Sequence, residues 1–258
     1  MKNSKQGVIK RAIITPDKHA PVHDEAAIKV VCKAIELVKP NIYIDLGDLG
    51  EWASVSHWQW KRKKKPPLEY IMPKIDEDVR AVNELLDIID ISLDKVKCKE
   101  KHICAGNHDE WLDRFVEEHP YLNYRFKDVC RFKERGYKYH KPGEYLKKGK
   151  LYYYHGHHFG GQYHAANHLR KLGANIMYGH HHSLQQDSVT YMDGPKSAWS
   201  LGCLKDMRPE KNSWLRGRLH NWNHAVGVVD WFANGNFKIE VIEIIKGVTS
   251  VWGKVISA

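Results

Sequence analysis

The chain has 258 residues, 42% of them hydrophobic, and a formal charge of +10. That length buries one substantial core, while the composition excludes a fibre, a disordered tail and, with no apolar run near the roughly 20 residues a bilayer requires, a membrane span. Five widely spaced cysteines (Cys32, Cys98, Cys104, Cys130, Cys203) without a C-x-x-C pair argue against a disulfide framework or a zinc knuckle. Lys10 and Arg11 interrupt the first apolar run too early for a signal peptide, so the expectation is a cytoplasmic protein. Net charge of this sign suggests a polyanionic partner, and its location decides whether it means anything.

In chain order, short apolar or β-branched runs read as buried strands at VIKRAII (8–14), NIYID (41–45), KHICA (101–105), LYYY (151–154) and NIMY (175–178). Between the first two, Asp24 as N-cap, Ile28, Val31, Ile35 and Val38 at helical spacing, and Pro40 beyond the end predict a helix. Ile75, Val79, Val82, Leu86 and Ile89 predict a second over 74–92, and further helices are expected over 109–118 and 162–172, the latter closed by Gly173. From about residue 186 the pattern changes to strands joined by turns, with Asn234-Gly235 a hairpin signal. Alternating strand and helix predict an α/β fold in one domain spanning 1–258.

The segments immediately after the strands carry the chemistry: TPDKH, LGDLGE, AGNHDE, HGHH and GHHH. In α/β sheets ligands gather at the carboxyl ends of strands, so five such segments should converge. Asp17 and His19, and likewise His180 and His182, are two residues apart, which in extended backbone turns both side chains the same way and leaves His181 pointing elsewhere. Asp48, Asn107 and His155 complete a set of oxygen and imidazole donors suited to Mn²⁺, Fe or Zn²⁺. His157 and His158 stand as substitutes for His155, and GNHD alone is also a turn sequence.

With D-x-H, G-D-x-x, G-N-H-[DE], H and G-H-x-H in this order over roughly residues 8–185, the chain resembles the calcineurin-like metallophosphoesterases, in particular their repair-nuclease and virus-encoded branches. The resemblance implies a sandwich of two central β-sheets flanked by helices. It also implies a pair of divalent ions, Mn²⁺ first, with Fe, Zn²⁺ or Ni²⁺ as alternatives. Asp17, His19 and His182 would hold one ion, Asn107, His155 and His180 the other, and Asp48 would bridge them. Four positive charges against the two of Asp17 and Asp48 leave a positive centre for phosphate, with in-line attack by an activated water. His108 matches the family's catalytic histidine, whose imidazolium protonates the leaving oxygen or stabilises its charge; its plain alternative is a turn histidine. Glu51 occupies the place where relatives carry an acidic partner or a second histidine, and a carboxylate there would hold His108 charged and oriented. Protein Ser/Thr phosphatases carry a phosphate-gripping arginine after GDxxD, whereas GDLGE is followed here by Trp52, which weakens that reading.

The positive charge concentrates after the second block. Trp58 and Trp60 precede five consecutive basic residues, Lys61, Arg62, Lys63, Lys64 and Lys65. Basic side chains neutralise phosphates and tryptophans stack on bases, so this insertion reads either as a nucleic-acid contact or as a solvated loop. A second stretch, WLRGRLHNWNH, offers Arg216, Arg218, His220 and Trp222. His164 and His168, one helical turn apart, read as exposed or as supporting residues; His23 and His57 are minor phosphate candidates. The leading expectation is a phosphodiesterase acting on nucleic acid. Its alternatives are a phosphomonoesterase on a nucleotide or phosphoprotein, and a binding scaffold without catalysis.

Overall fold

The computed structural model describes residues 7–56, Trp58, Lys61 and 64–258. β1 (Val8–Thr15) is followed by α1 (Glu25–Val38), β2 (Ile42–Asp45), α2 (Leu68–Lys95), β3 (Glu100–Cys104), α3 (Asn107–Glu118), the single turn α4 (Phe126–Val129) and β4 (Tyr137–His140). Then come β5 (Leu146–Lys148), β6 (Leu151–Tyr154), α5 (His164–Leu172), β7 (Asn175–Tyr178), β8 (Leu184–Tyr191) and β9 (Gly194–Leu201). A 3₁₀ segment at Pro209–Leu215 leads to β10 (His224–Phe232), β11 (Phe237–Ile244), β12 (Val248–Val251) and β13 (Lys254–Ser257).

One sheet has the order β11-β10-β1-β2-β3-β4 and a second the order β5-β6-β7-β9-β8. β1 to β4 run parallel, as do β6, β7 and β9. Strand alternation explains how the sheets stack. In β1, Ala12 and Ile14 face the second sheet while Ile13 faces α1 and α2. In β6 and β7, Tyr153 and Met177 face the first sheet while Tyr154, Ile176 and Tyr178 pack under α5. Both faces of each central strand are therefore buried, which is why these segments read as continuous apolar runs rather than as alternating ones. The result is the expected sandwich of two central sheets with helices on the outside.

The five predicted strands are present, and Asp24 caps α1 by accepting from the Ala27 N–H at 2.7 Å. Gly173 closes α5 in the left-handed conformation, and Gly235 turns the β10–β11 hairpin with φ +80°. α2 is longer than the predicted 74–92: Pro67 is its N-cap and Pro73 lies within its first two turns. β4, β5, β12 and β13 have no counterpart in the sequence reading, being three or four residues long and mixed in polarity. Among the described residues no helix is long and apolar enough to cross a membrane.

Within β1, Ile14 is fully buried between the sheets while Ile9 is 59% exposed. Ile14→Ala should cost about 2–5 kcal/mol in urea unfolding and Ile9→Ala within about 0.5 kcal/mol. Equal costs would contradict the two-sheet core.

Candidate metal centre

The loops leaving β1, β2, β3, β6 and β7 meet at one end of the sandwich, and every predicted ligand is there. Three groups bring ligand atoms within 4.8 Å of one another: Asp17 with His19 and His182, Asp48 with His155 and His180, and His19 with Asp48 and His108. In the first, Nε2 of His19 faces Nε2 of His182 at 3.0 Å, and Oδ1 of Asp17 lies 3.5 Å from His182 Nε2. In the second, Nε2 of His155 is 3.0 Å from Asn107 Oδ1, 3.2 Å from Nδ1 of His180 and 3.2 Å from Oδ2 of Asp48. The same Asp48 oxygen is 3.7 Å from His19 Nε2, so it faces both groups.

This donor set fits cations. His155 Nδ1 donates to the Leu46 carbonyl at 2.8 Å, which turns Nε2 into the cluster with three acceptor-capable neighbours. One proton cannot serve all three, and one cation can. His182 has a buried Nδ1 with no hydrogen-bond partner among the described residues. His157 and His158 lie outside these groups: the His157 ring is 5.6 Å from that of His155, and His158 packs on Tyr145 and Tyr154.

The backbone is not the extended chain expected from the two-residue spacing. His19, Asp48, His180 and His182 all adopt left-handed φ between 48° and 67°. For residues with a Cβ this conformation is strained by about 1–2 kcal/mol each. It lets tight turns aim His180 into one group and His182 into the other. The loops are knitted together locally: the Asp48 carbonyl accepts from Lys18 and His19 N–H, Asp48 Oδ1 accepts from His108 N–H at the start of α3, and both Asp17 oxygens accept from His180 N–H. Behind them the fully buried Lys18 ammonium is 2.5 Å from Asp45 Oδ2.

The electrostatics derive from burial. Burial alone would depress the His155 imidazole, but the carboxylates of Asp48 and Asp17 raise it to about 10. His180, buried beside that charge, is pushed down to about 2. Burial lowers His19 to about 4 against the pull of Glu51. Asp48 lies well below the usual carboxylate range despite its burial, because His155 and His108 favour its ionised form. The ionised carboxylates thus favour positive charge beside them.

Glu51 acts differently from the expectation. Its carboxylate accepts from Lys205 Nζ at 2.8 Å, lies 2.8 Å from His19 Nδ1 as an ion-pair contact, and stays 4.0 Å from His108 Nδ1. The Glu51 carbonyl instead accepts from His108 Nδ1 at 2.9 Å. A carbonyl can only accept, so the proton on Nδ1 is fixed and Nε2 is the atom left for chemistry. Asp109 and Lys205 escaped the sequence reading. Asp109 accepts from Leu49 and Gly106 N–H and from Trp52 Nε1, tying the second block to the third; its place within GNHDE was the available signal. Buried Lys205 had none.

His164 and His168 are buried, not exposed: His164 bonds Tyr178 and Ser183 and stacks on His181 at 4.0 Å, while His168 bonds Tyr154 and stacks on Tyr178. They brace the ends of β6 and β7, and His181 points away from the cluster as expected. His23 is half-buried in a bridge with Lys205. In the basic insertion, Trp58 is exposed with Lys61 Nζ 4.7 Å over its ring, Lys64 is exposed, and Lys65 pairs with Glu118 at 2.6 Å. His57, Trp60, Arg62 and Lys63 lie outside the described residues. Arg216 and Arg218 are exposed beyond the 3₁₀ segment, and the Trp222 ring lies 4.5 Å from that of His182.

No family model matches the chain. It is 24% identical to the Gene 54 proteins of Mycobacterium phage D29, over 269 residues, and of Mycobacterium phage L5, over 263 residues; each match covers 95% of this chain and 98% of the phage protein. Among solved structures it is similar to a Vps29 single mutant from Entamoeba histolytica (14% identity, TM-score 0.42, covering 91% of this chain and 99% of that one). It is also similar to Yfce, a phosphoesterase from E. coli (15% identity, TM-score 0.38, covering 89% and 98%).

A Cβ at Gly179 would lie 2.1 Å from Asp17 Oδ2, so this carboxylate occupies space that only glycine leaves. Gly179→Ala should destabilise by about 1–3 kcal/mol and also weaken Mn²⁺ binding in calorimetry. Gly194→Ala, at φ +112° in an open hairpin, should show the stability cost alone. Unchanged Mn²⁺ binding in Gly179→Ala would remove Asp17 from the site.

Proposed function

We propose that this chain is a dinuclear-metal phosphodiesterase acting on nucleic acid. The observation that carries the reading is the shared Asp48 oxygen, faced by His155 from one group and His19 from the other. Asp17, His19 and His182 would hold one divalent ion, Asn107, His155 and His180 a second, and Asp48, which faces both groups, would serve either. The donors are carboxylate, amide and imidazole without sulfur, a borderline-hard set open to Mn²⁺, Fe, Zn²⁺ or Ni²⁺. Two such ions, when bound, supply Lewis acidity to a phosphate and acidify a water.

The chain's own residues do the rest. Glu51 and the Leu46 carbonyl orient His19 and His155 by their Nδ1 atoms and so present Nε2. His108, oriented by the Glu51 carbonyl, gives its Nε2 proton to the leaving alkoxide, a role that requires the imidazolium. The basic insertion and Arg216 and Arg218 attract the phosphate backbone. The motif blocks of the calcineurin-like metallophosphoesterases support this reading.

Asp48→Asn should reduce Mn²⁺-dependent diester hydrolysis more than any substitution confined to one group, since it disturbs both. His108→Ala should keep two ions per chain by elemental analysis yet slow a ribose leaving group more than p-nitrophenolate, which departs without help. Equal losses on both esters would remove the general-acid role.

Salt separates nuclease from phosphomonoesterase. Replacing Lys61, Arg62, Lys63, Lys64 and Lys65 by glutamine should weaken nucleic-acid binding and flatten the log–log salt slope by about 0.9 for every duplex phosphate that the variant no longer neutralises, or about 0.7 on a single strand. An unchanged slope would make the run a solvated loop and put the phosphomonoesterase reading ahead.

A further inference from the structure

The predicted ligands sit inside a longer row of rings. The Trp111 indole lies on the His108 imidazole with centroids 3.8 Å apart, and His108 meets His19 edge-on at 4.6 Å. His19 meets His182 at 5.0 Å, and His182 meets Trp222 at 4.5 Å. Trp214, 55% exposed, continues the row 6.0 Å beyond Trp222. Tryptophans from two unrelated segments, α3 and the loop before β10, therefore bracket the metal-binding histidines, one at each end.

We propose that Trp111 and Trp222 are stacking floors for the two nucleobases that flank the scissile phosphate, and that the substrate is single-stranded nucleic acid. This rests on the phosphodiesterase reading. A diester attacked at the cluster carries a nucleoside on each side, and every base offers a π face to an indole regardless of sequence. Bases within a duplex are covered above and below by their neighbours, so only an unpaired or extruded base can take these positions.

The surroundings of Trp222 fit a base better than a phosphate. It lines a cleft of about 440 Å³ with Arg208, Lys246, Asp24, Asp206 and Glu243. Arg208 is paired with Asp206, and Asp24 is engaged as the cap of α1. Such a mixed wall repels a polyanion run lengthwise but suits a neutral ring with donors and acceptors along its edge. Exposed Arg216 and Arg218, on the next turn of chain, remain for the backbone.

The test uses metal-free protein in EDTA titrated with an oligothymidylate carrying one 2-aminopurine, whose fluorescence is quenched on stacking. Wild type should quench the single strand and not the duplex of the same sequence. Trp111→Ala and Trp222→Ala should each weaken binding about tenfold, with Trp→Phe restoring most of it. A second arm compares kcat/KM for the p-nitrophenyl ester of thymidine 5′-phosphate with that for methyl p-nitrophenyl phosphate. The two share a leaving group, so their ratio reports the nucleoside, and the part of it that an alanine variant removes reports the stacked base. No quenching, or binding and ratio unmoved by both alanine variants, overturns the proposal. Quenching without hydrolysis of either ester under Mn²⁺ upholds the stacking floors and overturns the phosphodiesterase reading. Hydrolysis of both esters at equal kcat/KM without quenching does the reverse.

Discussion

The carboxylate of Asp48 is held from one side and shared on the other: Oδ1 takes the first turn of α3, and Oδ2 faces imidazoles carried by both sheets. A buried anion is tolerable only if positive charge or donors surround it, and here those come from β1, β3 and β6 segments at once. The two sheets therefore do more than pack; their ends are bound together by one charge. The neighbouring Lys18–Asp45 pair, fully buried under the same loops, repeats the arrangement a layer deeper. Removing either partner of such a pair leaves an uncompensated charge, so the floor of the site resists piecemeal change.

Much of this was legible in the sequence. The strands β1, β2, β3, β6 and β7 are buried on both faces and so announce themselves as apolar runs, and the residues just beyond them are the ones that converge. Asp24 and Gly173 marked helix ends because capping is local chemistry, settled within a few residues. What escaped was non-local. Lys205 reaches Glu51 across 154 positions, and nothing beside it in sequence signals a buried ammonium. Glu51 itself was identified, but which of its oxygens would serve His108 depends on a turn that the sequence does not display. The short strands β4 and β5 are strands because neighbours offer them ladders; YKYH and LKK are too short and too mixed in polarity to announce a strand alone. His164 and His168, at one-turn spacing, read as exposed or as supporting residues, and only the stacking of α5 over β6 and β7 decides for burial.

Trp111 and Trp222 illustrate the same divide. Each is ordinary in its local context, one within an amphipathic helix and one in an arginine-bearing loop. Their relation exists only through the three imidazoles between them.

The left-handed backbone at four functional positions bears on how a chain like this could lose its chemistry. Glycine would relieve the turns at His19, His180 and His182, and a descendant keeping the sandwich merely as a platform could accept it there; at Asp48 the same change would also remove the carboxylate that ties the sheet ends. Side chains at His19, Asp48, His180 and His182 hold the protein above its conformational minimum. The same left-handed φ recurs away from the site, at Lys39, Lys97 and Lys246 among others, so what sets the sheet junction apart is that there it falls on carboxylate and imidazole side chains gathered within reach of one another.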